Sequence, residues 1–318
     1  MKYSGIGGQA VIEGIMMMKG EDYAVAVRRP DKEIEVKKDT YQSITKKAKI
    51  LQLPFVRGVF RFADSMIIGM RSLTYSASFF EDDEDAEPGK FEQLLDRVFG
   101  EKLESAIMAA VLVISFILAI GIFMLLPLGI ANLFKGVITS DHLMAVLEGV
   151  IRIAIFIIYI KLVSRMEDIR RTFMYHGAEH KCINCVEHGH PLTVKYVRES
   201  SKEHKRCGTS FILIVMVISI LMFMVIRVDT IWMRILSRII LVPVIAGISY
   251  EVLQCAGRSN SKFMDLVSRP GMWMQGLTTK EPDDSMIEVA IAATEAVFDW
   301  REYLTENFPG WEKQLEES

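Results

Sequence analysis

Between Ala106 and Phe134 the chain carries no charged side chain. A helix needs about 20 mostly apolar residues to cross the hydrocarbon core of a bilayer. Inside that core every backbone N–H and C=O has to find a partner within its own segment. A run of this kind has one stable outcome, a transmembrane helix, here with Pro127 near its far end. Thr209 to Ile226 is a second such run, while Leu143 to Val163 and Ile231 to Tyr250 match it in length but hold charges inside. Of the 318 residues 51% are hydrophobic, enough for two ordinary domains, yet they are bunched into these bilayer-length stretches. The sequence therefore predicts a mainly α, polytopic membrane protein with about four transmembrane helices in two hairpins.

Charge sets the expected orientation. The segment between the hairpins, Ser164 to Gly208, holds Arg165, Arg170, Arg171, Lys181, Lys195, Arg198, Lys202, Lys205 and Arg206, whereas the turn within the first hairpin offers only Lys135. By the positive-inside rule this segment and both termini face the cytoplasm. No basic start followed by an apolar stretch and a small-residue cleavage site opens the chain, so no secretory signal is expected. Cytoplasmic thiols stay reduced, so the four cysteines favour metal binding or inert burial over disulfides. A net charge of −3 without a basic domain gives no sign of nucleic acid as a partner. The expected partners are the lipid bilayer and a membrane protein or peptide.

Six segments follow. Residues 1–40 read as a small cytoplasmic β-sheet, with strands at Ala10–Met18, Tyr23–Arg29 and Ile34–Lys37; Ile34 and Val36 alternate with charged neighbours, as in a half-buried strand. Residues 41–104 form a juxtamembrane helical region whose mixed basic and apolar side chains either lie on the membrane surface or pack as an ordinary core helix. It includes an acidic linker from Glu81 to Pro88, too charged to pack. The first hairpin takes residues 105–163, a His/Cys loop 164–208 and the second hairpin 209–255. In the tail, 256–318, Ser285-Met286-Ile287-Glu288 reads as a capping box that starts an amphipathic helix, and the residues after Pro309 are expected to fray.

The loop carries the chemistry. His176, Glu179, His180, Cys182 and Cys185 fall within ten residues. On a helix His176 and His180 are i and i+4, so their rings stack on one face and can converge on one ion. The order H-x-x-E-H is that of the inverted zinc-protease motif, with Glu179 as the general base. Cys182 and Cys185 form a C-x-x-C that would complete a tetrahedral shell. Without a metal the same histidines would be hydrogen-bonded polar residues where a helix leaves the membrane. Cys207 sits where the third span begins, at free amides that favour anions, and is either a thiolate ligand or a small buried residue. Glu251, at the cytoplasmic end of the fourth span, is a further ligand candidate, with His188, His190 and His204 behind it. The divalent metal this donor set suits best is zinc.

Four blocks, Gly7-Gly8-Gln9-Ala10-Val11-Ile12-Glu13-Gly14, Tyr175-His176-Gly177-Ala178-Glu179-His180-Lys181, Arg206-Cys207-Gly208-Thr209-Ser210-Phe211 and Arg269-Pro270-Gly271 with Gln275-Gly276-Leu277-Thr278-Thr279, resemble the YqhQ-like family of bacterial membrane proteins. The resemblance spans nearly the whole chain. It implies a multi-pass protein of the bacterial cell membrane and a metal-dependent enzyme of unstated reaction.

Inside the spans, Glu148 and Arg152 lie one turn apart on one face, as do Arg234 and Arg238. Intramembrane charges either line a polar pocket or lock helix registry as ion pairs. Three classes of function remain open: a metal-dependent hydrolase at the membrane surface, a non-enzymatic membrane scaffold, and a transporter or lipid-handling protein using Glu148, Arg152, Arg234 and Arg238.

Overall fold

The computed structural model describes residues 2–80, 103–226, 230–258 and 261–316. The acidic linker lies outside them. The chain forms two units, one of residues 1–80, 160–219 and 228–318, the other of residues 81–159 and 220–227.

The first unit opens with a meander of four antiparallel strands in the order β1 (Ile6–Val11), β2 (Gly14–Lys19), β3 (Asp22–Arg28) and β4 (Ile34–Thr40). The strand expected from Ala10 to Met18 is broken in two. Val11 pairs with Gly14, which leaves Ile12 and Glu13 as a two-residue turn with Glu13 at φ 47°. Nothing in the apolar run through Val11 and Ile12 announces that turn. At Gly14 a side chain would press on Val27, 3.1 Å away.

Both faces of the sheet are covered, which is why β2 and β3 read as continuous apolar runs. On one side Val11, Met16, Val25 and Val27 pack against Ile68 of α1 (Val56–Ala77). On the other, Ile15, Met17 and Ala26 meet the helix holding the His/Cys cluster and a tail helix. Ile15 and Met17 are fully buried, each a contribution of about 1.5–3 kcal/mol. α1 also packs on the fourth span, where Gly58 is required because a Cβ would meet Tyr250 at 2.7 Å.

Four helical stretches among the described residues are long and apolar enough to cross a membrane: Val113–Asn132, Asp141–Val163, Gly208–Val225 and Ile235–Gly257. They mark a membrane protein. The first is α2 (Leu103–Ile120), which continues through a π-turn at Gly121–Leu125 into α3 (Leu126–Asn132). The second is α4 (Asp141–Val163), followed by α5 (Glu167–Glu187) and the short α6 (Val194–Glu199). The third and fourth are α7 (Gly208–Val225) and α8 (Ile231–Arg258), followed by α9 (Lys262–Thr278), α10 (Asp284–Val297), α11 (Trp300–Asn307) and α12 (Lys313–Glu316).

Within the second unit, Pro127 has no N–H to offer the carbonyl of Phe123 four residues back. Arg152 Nε donates to that carbonyl at 3.0 Å, and its Nη2 donates to Glu148 at 2.6 Å. The charged pair on α4 thus repairs a defect that proline makes in the neighbouring helix.

Two expectations for the tail are corrected. α10 is capped by Asp283, whose carboxylate accepts from Met286 N at 3.0 Å, while Glu288 pairs with Arg28. The segment after Pro309 is anchored, because Trp311 is buried against Trp300 with ring centroids 5.4 Å apart.

Candidate functional site

His176 and His180 stand one turn apart on α5, with ring centroids 4.4 Å apart. His176 Nδ1 donates to the carbonyl of Thr278 at 3.0 Å and His180 Nδ1 to that of Lys202 at 2.7 Å. A carbonyl can only accept, so each Nδ1 carries a proton and Nε2 is the ring nitrogen left facing the other ring and Cys207. Cys207 Sγ lies 3.2 Å from His176 Nε2. One donor atom from each of His176, His180 and Cys207 lies within 4.8 Å of the other two.

Local backbone demands explain how the three meet. The segment after α9 crosses α5 directly over Gly177, where a Cβ would overlap the Lys280 carbonyl, and Lys280 N donates to Phe173 O at 2.8 Å. That crossing delivers the Thr278 carbonyl to His176. Cys207 immediately precedes α7, and Thr209 N and Oγ1 lie 3.4 and 3.1 Å from its sulfur. Gln275, fully buried on α9, staples the loop: its Oε1 accepts from His204 N at 2.9 Å, and its Nε2 donates to His204 O and Ser210 Oγ at 2.8 Å each.

Glu179 is buried beside the histidines, and desolvation raises its pKa against the lowering influence of His176 and of the Gly8 N–H. Its Oε2 has no hydrogen-bond partner among the described residues. Gly8 is placed tightly, since a Cβ there would come within 3.1 Å of Glu179 Cδ. His176, Glu179, His180, His204 and Cys207 line one cavity of about 630 Å³, whose other walls are β1 and the Met66 and Met70 face of α1.

A second polar cluster braces the end of α5. Glu187, fully buried, accepts from Ser4 N at 3.0 Å and Ser4 Oγ at 2.8 Å, forms an ion pair with Arg206, and lies 3.5 Å from His204 Nε2. Burial would raise its pKa, but His204, Arg206 and the Ser4 amide together bring it down to about 2. Burial lowers that of His204 to about 4. Nearby, Glu13 at the strained turn holds Arg171 through two contacts of 2.5 Å.

The remaining sequence candidates lie elsewhere. Cys182 and Cys185 belong to the apolar core, with Cys185 Sγ directed at the Pro191 carbonyl at 3.3 Å. Burial raises both thiol pKa values, that of Cys185 to about 12. Six and nine residues after His176, they emerge on the far side of α5 at 100° per residue. Glu251 is bound by Arg57 through contacts of 2.8 and 2.5 Å. His188 and His190 bond to Asn184 O and Gln314 Oε1. Glu148 and Arg152 pair within α4, Arg238 is buried on α8, and the side chain of Arg234 lies outside the described residues.

Gln275, Gly177 and Glu187 were not foreseen as site residues. The first two stand inside the blocks that carry the resemblance, and those four blocks converge here. A family model described as "Protein of unknown function (DUF1385)" matches residues 53–300. The chain belongs to this family. It is 34% identical over 286 residues to the Uncharacterized protein YqhQ of Bacillus subtilis (strain 168), covering 90% of this chain and 89% of that protein. No solved structure matches the chain. Neither description names a metal or a reaction, so for this member of the DUF1385 family the case for either rests on the geometry above.

Proposed function

We propose that this protein is a metal-dependent hydrolase working at the cytoplasmic surface of the cell membrane, in which His176, His180 and Cys207 hold a divalent ion, zinc by donor chemistry, and Glu179 is the general base. One observation carries the reading. Both imidazoles give their Nδ1 protons to backbone carbonyls and so present Nε2, the outer-shell arrangement that orients metal-ligating histidines. Nitrogen at about 2.0–2.1 Å and sulfur at about 2.3 Å from a tetrahedral zinc stand about 3.5 Å apart. The 3.2 Å between His176 Nε2 and Cys207 Sγ suits that spacing, and the 4.8 Å limit for the set is within a rotamer adjustment.

Among the described residues three donors converge rather than four. Structural zinc sites are closed by four protein ligands, whereas catalytic ones keep a position open, and here the cavity supplies the space. When bound, the ion supplies Lewis acidity that polarises a substrate carbonyl and acidifies water. Glu179, buried and with Oε2 unpartnered among the described residues, takes a proton from water and passes it to the leaving group. The basic excess between residues 164 and 208 supports the cytoplasmic side.

Elemental analysis of full-length protein purified without a histidine tag tests the site. We expect near-stoichiometric zinc in the wild type, in Cys182→Ala, in Cys185→Ala and in Glu179→Gln, with loss in His176→Ala and Cys207→Ala. Metal-free wild type, or zinc that survives His176→Ala, would sink the reading.

A further inference from the structure

We infer that the free edge of β1 seats an extended polypeptide, so that the substrate of this centre is a peptide bond; this rests on the hydrolase reading above. The hydrogen-bond phase of the sheet decides which groups are free. Arg28 N donates to Glu13 O at 2.9 Å, so Glu13, Ile15 and Met17 turn their backbone bonds towards β3. Gly14, Met16 and Met18 then bond to Val11, Gln9 and Gly7 of β1. Ile6, Gly8 and Ala10 are left with their N–H and C=O groups pointing away from the sheet.

Their surroundings bear this out. Ile6 N donates to Ser4 Oγ at 3.3 Å, Ile12 N to Ser76 Oγ at 3.2 Å, and the Gly8 N–H is directed at Glu179. Among the described residues no hydrogen bond takes up the Ala10 N–H or the outward carbonyls of Gly8 and Ala10. Gly8 and Ala10 line the same cavity as His176 and Glu179. A free N–H and two carbonyls at strand spacing match another peptide backbone laid alongside, the mode of β-strand addition. A lipid offers no ladder of donors to those carbonyls.

The cavity walls fit an extended guest. Gly7 and Gly8 present no side chain, and across from them Met66, Met70 and Leu73 of α1 form an exposed apolar wall for alternate guest side chains. α1 packs on Tyr250 within the fourth span, which puts the groove beside the membrane and selects the segment flanking a transmembrane helix of another protein. In the reaction water adds to the peptide carbonyl carbon, the C–N bond breaks, and the proton taken by Glu179 goes to the leaving nitrogen. One water and one peptide bond give a carboxylate and an amine.

Hydrogen exchange on the full chain in detergent, with unfolded dephosphorylated casein peptides as probe and phosphatidylglycerol vesicles as control, tests the edge. Peptides should slow exchange over residues 6–12 by about tenfold in both wild type and Glu179→Gln, whereas vesicles should not. Ala10→Pro, which removes the free N–H but fits an edge strand, should abolish that protection and slow casein cleavage about tenfold at unchanged zinc content. No protection in the wild type, cleavage indifferent to Ala10→Pro, or hydrolysis of the vesicle lipid without any of casein overturns the proposal. Peptide protection in a chain that holds no zinc upholds the docking strand and removes the metal reading alone.

Discussion

The backbone carbonyl of Lys280 occupies the space that a Cβ on Gly177 would need. Because the obstacle is main chain, Gly177→Ala has to push the whole crossing segment off α5. That movement carries the Thr278 carbonyl away from His176 Nδ1. We expect a loss of about 1–3 kcal/mol in stability, as for other overpacked sites, and zinc affinity weakened about 10–100-fold, as when an outer-shell partner is removed. Thermal melting and a competitive chelator titration of the variant check both.

Gln275 reaches its partners through both ends of one amide. Gln275→Ala strands His204 N, His204 O and Ser210 Oγ in a buried site, at about 1–3 kcal/mol for each group left unsatisfied. Gln275→Glu keeps the acceptor for His204 N but loses the donors, so its melting temperature should fall between those of wild type and alanine. A glutamate variant as unstable as the alanine one would show that the staple works through its NH₂ group alone.

Acid should loosen the end of α5. The folded pKa of His204, about 4, lies below its ordinary 6.5, so the unfolded chain binds the proton first and stability held above pH 6.5 drains away as the pH falls towards 4. Glu187, about 2 when folded against an ordinary 4.5, adds a loss of the same sign between pH 4.5 and 2. The melting temperature should therefore drop steadily from pH 7 to pH 4, and less steeply in His204→Gln. A flat profile over that range in the wild type contradicts the assignment.

Pro127 and Arg152 should behave as one unit. Pro127→Ala restores an N–H four residues after Phe123 and competes for the carbonyl that Arg152 now holds. A double-mutant cycle between Pro127→Ala and Arg152→Leu should give a coupling of about 0.5–2 kcal/mol, the range for polar contacts between membrane helices. Strict additivity would mean that the guanidinium is held by Glu148 alone.

Much of the fold was legible because lipid imposes a simple demand. Runs without charge from Ala106 and from Thr209 had to be helices, and α5 needed only the i, i+4 spacing of His176 and His180 to place both rings together. Proximity along the chain misled where it looked most telling. Cys182 and Cys185 are the thiols nearest His180 in sequence, but the helical repeat carries them into the core, while Cys207 arrives from a separate loop. Glu251 stands at the expected end of its span but is bound by Arg57, and no periodicity encodes that pairing. The roles of Gln275 and Gly177 depend on which backbone crosses which, and only tertiary contacts define that.

The Gln275 staple also bears on how the protein is made. Gly8 leaves the ribosome well before His176, and the first two spans lie between them. Gln275 comes 71 residues after the His204 it holds, beyond two further spans. A growing chain therefore displays its histidines and thiol before the Gln275 staple fixes the loop that carries Cys207. On the proposed metal reading, ion capture is a late event, set by completion of membrane insertion, and a stalled or truncated chain offers donors without a finished centre.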